Sequence, residues 1–175
     1  DMIGERTPIL PLSPTDRITD VLKGPEIDLT GLMERYKAYL KRLKAKCLNP
    51  WKGQPRRADL RLTEAVGHFH LYAWLRMAIG RYCAVSPEFP TGNGRVDLRL
   101  ECGGKIGIIE VKSFTDLAEF EGSLPRAAKY ARQLSLERVM IALFSPIEDE
   151  AVLERLSREV VVDGVRVAVV AIGWA

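Results

Sequence analysis

Residues 91–112 read TGNGRVDLRLECGGKIGIIEVK and contain two strand-like runs joined by the pair Gly103-Gly104. Two glycines between such runs are a strong signal for a β-hairpin with a two-residue turn. With these glycines at the centre of the turn, counting outward along both runs places Asp97 opposite Glu110. Opposite residues share one face of a hairpin, with Cβ atoms about 5 Å apart. The sequence therefore predicts two carboxylates side by side.

Two like charges in this arrangement destabilise a hairpin unless a positive group lies between them. A divalent cation fits this need, and Lys112 lies two residues beyond Glu110 on the same face, opposite Arg95. Ile106 and Ile108 make that face apolar, which is unusual for a solvated strand edge. A hairpin with ordinary solvated charges remains the alternative interpretation.

The pattern resembles the PD-(D/E)xK nuclease superfamily, in which an acid on one strand is followed by Glu-x-Lys on the next. The matching residues are Asp97 and Glu110-Val111-Lys112, with Val96 in place of the proline of the strict motif. The resemblance implies a Mg²⁺ site, with Mn²⁺ as a substitute, formed by Asp97, Glu110 and the Val111 carbonyl. It also implies that Lys112 orients the attacking water or stabilises charge on the phosphate. The resemblance covers about residues 62–144.

Many members of this superfamily carry a further Glu on the helix before the hairpin, and Glu64 matches it in type and order. Glu64 is also explained as a first-turn acid that complements the helix dipole, worth about 0.3–1 kcal/mol. His68 follows four residues later and shares the face of Glu64, with His70 close by. Both histidines are interpreted first as structural residues.

A later helix, expected to start at Pro125 and reach about Leu136, presents Arg126, Tyr130 and Gln133 on one face. Some nuclease families carry Gln-x-x-x-Tyr here, so the resemblance assigns these three residues to DNA binding. Arg126 stands in the Gln position, and an arginine can bind a phosphate with two hydrogen bonds. An ordinary exposed helix face is the alternative.

The charge of the chain is distributed unevenly. Residues 35–57 contain nine Lys or Arg and no acid, so the remainder of this +3 chain carries −6. A local basic stretch suits a partner that bears phosphates, although a solvated helix face would look the same. The predicted DNA contacts in this stretch are Lys41, Lys44, Lys46, Arg56 and Arg57.

Composition limits the other classes of site. Cys47, Cys83 and Cys102 are odd in number and show no Cys-x-x-Cys spacing, so we expect no disulfide and a reducing, cytoplasmic location. With two histidines in the chain, a zinc site is not expected. No run of residues has the length and apolar character of a membrane span.

The 175 residues are expected to form one α/β domain after an extended arm. The resemblance implies a restriction-endonuclease-like mixed β-sheet flanked by helices, and the sequence adds an extra N-terminal basic helix. The predicted segments are an arm at 1–28, a basic extension at 29–60, a catalytic core at 61–145, and a C-terminal helix and strands at 146–175. The predicted helices are 29–47, 62–82, 125–136 and 148–158, and the predicted strands are 95–102, 105–112, 138–144, 160–162 and 165–172.

The resemblance thus implies a metal-dependent nuclease that hydrolyses DNA, as a module of a larger DNA-processing or defence protein with a fused or associated ATPase or specificity domain. Two alternatives stay open. One is a Holliday-junction-resolvase-like endonuclease that acts as a homodimer on branched DNA. The other is a non-catalytic DNA-binding or assembly module that keeps the fold.

Overall fold

The computed structural model describes residues 18–52, 60–92 and 94–174, and it describes only the backbone of residues 60–62. Two of the predicted DNA contacts, Arg56 and Arg57, lie outside the described residues. The helices are α1 (Leu29–Ala45), α2 (Leu60–Ile79), α3 (Leu117–Gln133) and α4 (Glu150–Leu156). The strands are β1 (Cys83–Thr91), β2 (Gly94–Cys102), β3 (Lys105–Ser113), β4 (Arg138–Ser145), β5 (Arg158–Val162) and β6 (Val165–Gly173).

The strands form one mixed sheet in the order β1-β2-β3-β4-β6-β5. β1, β2 and β3 are a continuous antiparallel meander, whereas β3, β4 and β6 run parallel and β5 closes the far edge antiparallel. The parallel strands are buried on both faces, which explains the near-continuous apolar runs of β4 and β6. The predicted mixed α/β sheet with flanking helices is confirmed at this level.

Helices cover both faces of the sheet. On one face α1 and α2 contribute a cluster that includes Tyr36, Trp74 and Phe144. On the other face α3 buries Phe120 and three alanines against β3, β4 and β6. Burial of this apolar surface, at roughly 25 cal/mol per Å², is the main force that assembles the layers.

Strand β1 is not among the strands predicted from the sequence. Pro87 and Pro90 interrupt the run, and proline weakens a strand signal because it cannot donate to the ladder. β1 lies at the edge of the sheet, where such a residue is tolerated. The helix before it ends at Ile79 rather than at Tyr82.

The predicted start of α3 at Pro125 is also wrong. The helix begins at Leu117, after Asp116, whose side chain accepts a 2.8 Å hydrogen bond from the Glu119 N–H. Pro125 therefore lies inside the helix, where proline normally costs about 3 kcal/mol. The Asp116 cap and the buried stripe of α3 outweigh that cost.

The expectation of no disulfide is contradicted. Cys83 and Cys102 are paired partners at the start of β1 and the end of β2, and their sulfur atoms are bonded. Cys47 is a free, exposed thiol. The missed strand explains the error, because without β1 nothing brings Cys83 opposite Cys102.

The described part of the predicted arm packs on the domain. Residues 19–22 form a short 3-10 helix, and Ile18, Val21 and Ile27 are buried in the cluster beneath α1. Asp28 then caps α1 by accepting a 2.9 Å hydrogen bond from the Gly31 N–H.

None of the helices in the described ranges has both the length and the apolar character needed to cross a bilayer.

Candidate active site

The β2–β3 hairpin has the predicted register for five residue pairs, from Cys102–Lys105 at the turn to Leu98–Ile109. The ladder stops there, one position before Asp97 would pair with Glu110. Arg95 consequently does not pair with Lys112. Arg95 lies opposite Pro90 of β1, and its guanidinium forms an ion pair with Glu88.

Hydrogen bonds between side chains and backbone replace the missing ladder pair of Asp97 and Glu110. The Asp97 N–H donates to Glu110 Oε1 at 3.1 Å, and the Val111 N–H donates to Asp97 Oδ2 at 2.7 Å. One oxygen of each carboxylate therefore accepts a hydrogen bond from the backbone of the other strand, beside the other acid. The second oxygen of each forms no hydrogen bond with another described residue. These are the atoms left for a ligand.

Strand β2 changes faces at Asp97. Leu98 is buried in the cluster beneath α1 and α2, whereas Val96, two residues earlier, is buried in the cluster beneath α3. Regular alternation would have put both on one face. The β1–β2 ladder skips the same position, and Glu88 opposite it has a positive φ of 49°. Such a backbone is costly for a non-glycine residue, so local strain is concentrated beside Asp97.

Glu110 is an almost fully buried acid, with 3% of its surface exposed. Burial is the largest cause that raises its pKa from 4.5 to about 8, and the neighbouring Asp97 carboxylate is the next largest. Lys112 and the Asp97 N–H act in the opposite direction, while Glu64 adds to the increase. Without a cation, Glu110 is therefore mainly protonated at neutral pH.

Glu64 reaches the site from α2. Its Oε2 accepts a 3.1 Å hydrogen bond from the Ser113 N–H at the end of β3. Gly67 makes this approach feasible, because the helix lies so close to β4 that a Cβ here would be 2.9 Å from the Phe144 ring. The structure thus places Glu64 near Glu110 through close packing of α2 on the sheet.

The two histidines of α2 have different environments. His68 Nε2 lies 3.1 Å from the Asp97 carbonyl oxygen, so the ring donates there and supports the irregular backbone of β2. His70 is buried, and its Nδ1 lies 2.7 Å from the Tyr36 hydroxyl within an aromatic cluster. Burial lowers the His70 pKa to about 4. His70 therefore serves the core.

Lys112 lies on β3 beside Leu143 of β4 and is half-buried. Within the described ranges its ammonium group forms neither an ion pair nor a hydrogen bond. It is close enough to Glu110 to lower the pKa of that carboxyl. Lys112 is therefore a cation near the two acids, and its ammonium group has no structural partner among the described residues.

The donor set is suited to a hard cation. Two carboxylates with one uncommitted oxygen each are ligands that Mg²⁺ and Mn²⁺ prefer. Within 18–52, 60–92 and 94–174, no cluster of three His, Cys, Asp or Glu residues is arranged to hold a metal. The site is thus a two-carboxylate site in which Glu64 is turned toward the Ser113 N–H.

Two of the predicted contacts on α3 lie against the β1–β2 turn. Tyr130 packs against Gly94, where a Cβ would come within 3.1 Å of the Tyr130 ring, and Gln133 approaches Gly92. Both side chains therefore support the β1–β2 turn. Arg126 is exposed on the same helix.

Two of the three described lysines predicted to contact DNA already have partners. Lys41 forms an ion pair with Glu150 at 2.9 Å, and Lys44 Nζ donates to the Gly173 carbonyl at 2.7 Å. Burial lowers the pKa of Lys44. Lys46 is exposed after the end of α1. Lys41 thus joins α1 to α4, and Lys44 joins α1 to the end of β6.

Gly67 and Glu88 are the site residues that sequence reasoning missed. A glycine inside an apolar helix is a usable signal, since it costs about 1 kcal/mol there and usually has a packing reason. Glu88 offered no signal, because its backbone is unusual only in the context of the Asp97 bend.

The sequence matches none of the known protein-family profiles. A comparison with curated proteins also finds no significant relative. The class defined by fold and site is therefore a mixed α/β domain with a paired-carboxylate site at a strand bend.

Proposed function

We propose that this protein is a metal-dependent nuclease that hydrolyses DNA phosphodiester bonds and has a restriction-endonuclease-like fold. One observation carries the proposal: the buried Glu110 and the half-buried Asp97 exchange hydrogen bonds with each other's strands, and Lys112, two residues beyond Glu110, has no partner among the described residues. Burying an acid beside a second carboxylate costs folding free energy, so such an arrangement is a candidate functional site. The sequence pattern Asp, then Glu-Val-Lys, supports the same class.

The proposed cation is Mg²⁺, with Mn²⁺ as a substitute, held by Asp97, Glu110 and the Val111 carbonyl, with Glu64 in support. When bound, such a cation polarises a phosphate and lowers the pKa of a coordinated water. Glu110 has to lose its proton to act as a ligand. The hydrogen bond from the Val111 N–H to Asp97 Oδ2 fixes the orientation of the Asp97 carboxylate. The other oxygen, Oδ1, is therefore also held in one orientation.

Lys112 has two available roles: its ammonium group can orient the attacking water or stabilise negative charge that develops on the phosphate. Its half-buried position strengthens either effect, since an electrostatic interaction is less screened away from bulk water. We place this domain in a larger DNA-processing or defence protein on the resemblance alone.

The test is cleavage of supercoiled plasmid and linear duplex by the purified chain with Mg²⁺, Mn²⁺ or EDTA. Asp97→Asn and Glu110→Gln are expected to abolish cleavage without loss of folding. The matched control is Glu101→Gln, which alters an exposed acid on the same strand as Asp97. Equal metal-dependent cleavage by wild type and Asp97→Asn would contradict the proposal. Preferential cleavage of four-way junctions would specify a resolvase-like enzyme.

A further inference from the structure

The exposed side of α2 next to the candidate site carries two aromatic rings and an arginine. Phe69 is 62% exposed, Tyr72 is half-buried and Arg76 is exposed. At 100° per residue, Tyr72 follows His68 on the next turn of the same face, and Phe69 and Arg76 lie immediately beside it. We call Phe69, Tyr72 and Arg76 the α2 stripe.

The α2 stripe is ordered by contacts on its inner side. Tyr72 packs against the core cluster beneath α2. Arg76 Nη1 donates to the Tyr72 hydroxyl at 3.0 Å, and the guanidinium carbon lies 5.8 Å from the centre of the Tyr72 ring. The ring and the cation are therefore held in place before any ligand arrives. Phe69 is outside that core and contributes little to folding.

The charge of the α2 stripe favours an anion, because Arg76 is its one charged residue. Glu64, at the site end, is the one acid in the sequence of this helix, and Arg76 lies three turns further along. From His68 to Arg76 the helix rises about 12 Å, at 1.5 Å per residue. The stripe thus forms a short path that leads away from the acids, with two aromatic rings followed by one arginine.

We propose that the α2 stripe binds an unpaired strand of nucleic acid, next to the phosphate that is cut at the candidate site. This inference rests on the proposed function. Exposed aromatic rings stack on bases, which contributes about 1–3 kcal/mol per base, and every base offers such a face. In a duplex those faces are covered by neighbouring base pairs. The substrate class is therefore single-stranded DNA or a duplex with an unpaired end, and the occupant is that strand.

The experiment measures binding of a short fluorescent oligothymidine and of a matched duplex by anisotropy, with EDTA present to prevent cleavage. Phe69→Ala is expected to weaken single-strand binding about 5- to 150-fold, the range that stacking of one base gives. Duplex binding should change less than about two-fold, because phosphate contacts remain. Phe69→Trp should restore single-strand binding. Val161→Ala is the matched control, since Val161 is an exposed apolar residue on the distant strand β5.

Three outcomes overturn the inference: no single-strand binding by wild type, equal loss for both DNAs, or a change of oligomeric state in Phe69→Ala on sizing columns. The last would make the stripe a contact between copies of the chain. Metal-dependent cleavage of the plasmid and of a single-stranded oligonucleotide is scored separately. Cleavage by wild type without stripe-dependent binding rejects the inference alone, whereas stripe-dependent binding without cleavage rejects the proposed nuclease.

Discussion

Gly67 of α2 and the ring of Phe144 on β4 are in direct contact, and a Cβ at residue 67 would lie 2.9 Å from two ring carbons. Gly67 lies between Glu64 and His68, the two α2 residues that reach the site. The Gly67–Phe144 contact therefore sets the distance between α2 and the sheet. That distance controls both the Glu64 contact with Ser113 and the His68 contact with Asp97.

Gly67→Ala is expected to destabilise the protein by about 1–3 kcal/mol, as overpacking of a buried contact does. It should also displace Glu64 from Ser113. Chemical denaturation measures the loss. The matched control is Gly122→Ala in α3, where a Cβ would meet no atom within 4 Å, and it should gain about 0.5–1 kcal/mol from helix propensity. Equal effects at both glycines would show that helix propensity, not packing, decides.

The stability of the metal-free protein should fall as pH rises. The folded-state pKa of Glu110 is raised from 4.5 to about 8, so the folded state holds a proton that the unfolded state releases. The contribution of the neutral acid is complete below about pH 4.5 and is lost as pH rises through 8. Urea unfolding across this range should show the decline, and Glu110→Gln should flatten it. An identical pH slope in both proteins would contradict the buried-acid description.

Binding of Mn²⁺ should release up to about one proton per site near neutral pH, because Glu110 must ionise to become a ligand. Calorimetric titration in two buffers with different ionisation enthalpies measures this number without any cleavage assay. Glu110→Gln should lose the proton release and most of the affinity, whereas Glu101→Gln should keep both. Binding without proton release would place the metal away from Glu110.

Lys112→Ala should keep metal and DNA binding while slowing single-turnover cleavage about 10²–10³-fold at saturating metal, the effect of removing one charge-stabilising donor. Lys112 cannot ligate a cation while charged, so its loss should leave Mn²⁺ affinity close to that of wild type. Lys23→Ala, at an exposed lysine before α1, is the control. An unchanged cleavage rate would assign Lys112 to a structural role.

The basic stretch should divide into structural and DNA-binding lysines. Lys44→Met removes the bond to the Gly173 carbonyl and should lower stability by about 0.5–1.5 kcal/mol. Lys46→Ala should leave stability unchanged and, where Lys46 contacts a phosphate, reduce the log–log salt slope of duplex binding by about 0.9. An unchanged salt slope in Lys46→Ala would direct the search for the DNA path to Arg126 and its neighbours on α3.

The hairpin register was available from the sequence because two glycines at a turn fix the count of every residue pair outward from it. That count placed Asp97 level with Glu110, and β3 and β4 were evident from their apolar runs. These are local properties, determined by backbone preference and alternation within a few residues. The chemistry of the candidate site, two acids and a lysine, was predicted in the same way.

The tertiary structure decided what depends on residues far apart in sequence. The bend at Asp97 arises because Val96 and Leu98 find different cores on opposite faces of the sheet. The Cys83–Cys102 bond needs the edge strand β1, whose two prolines weaken the strand signal in the sequence. Lys41 and Lys44 look like a free cationic face until the C-terminal segment supplies Glu150 and the Gly173 carbonyl. The spacing of residues along the chain determines which side chains are neighbours on one helix or strand. The free energy of packing determines which residues from distant parts of the sequence contact them.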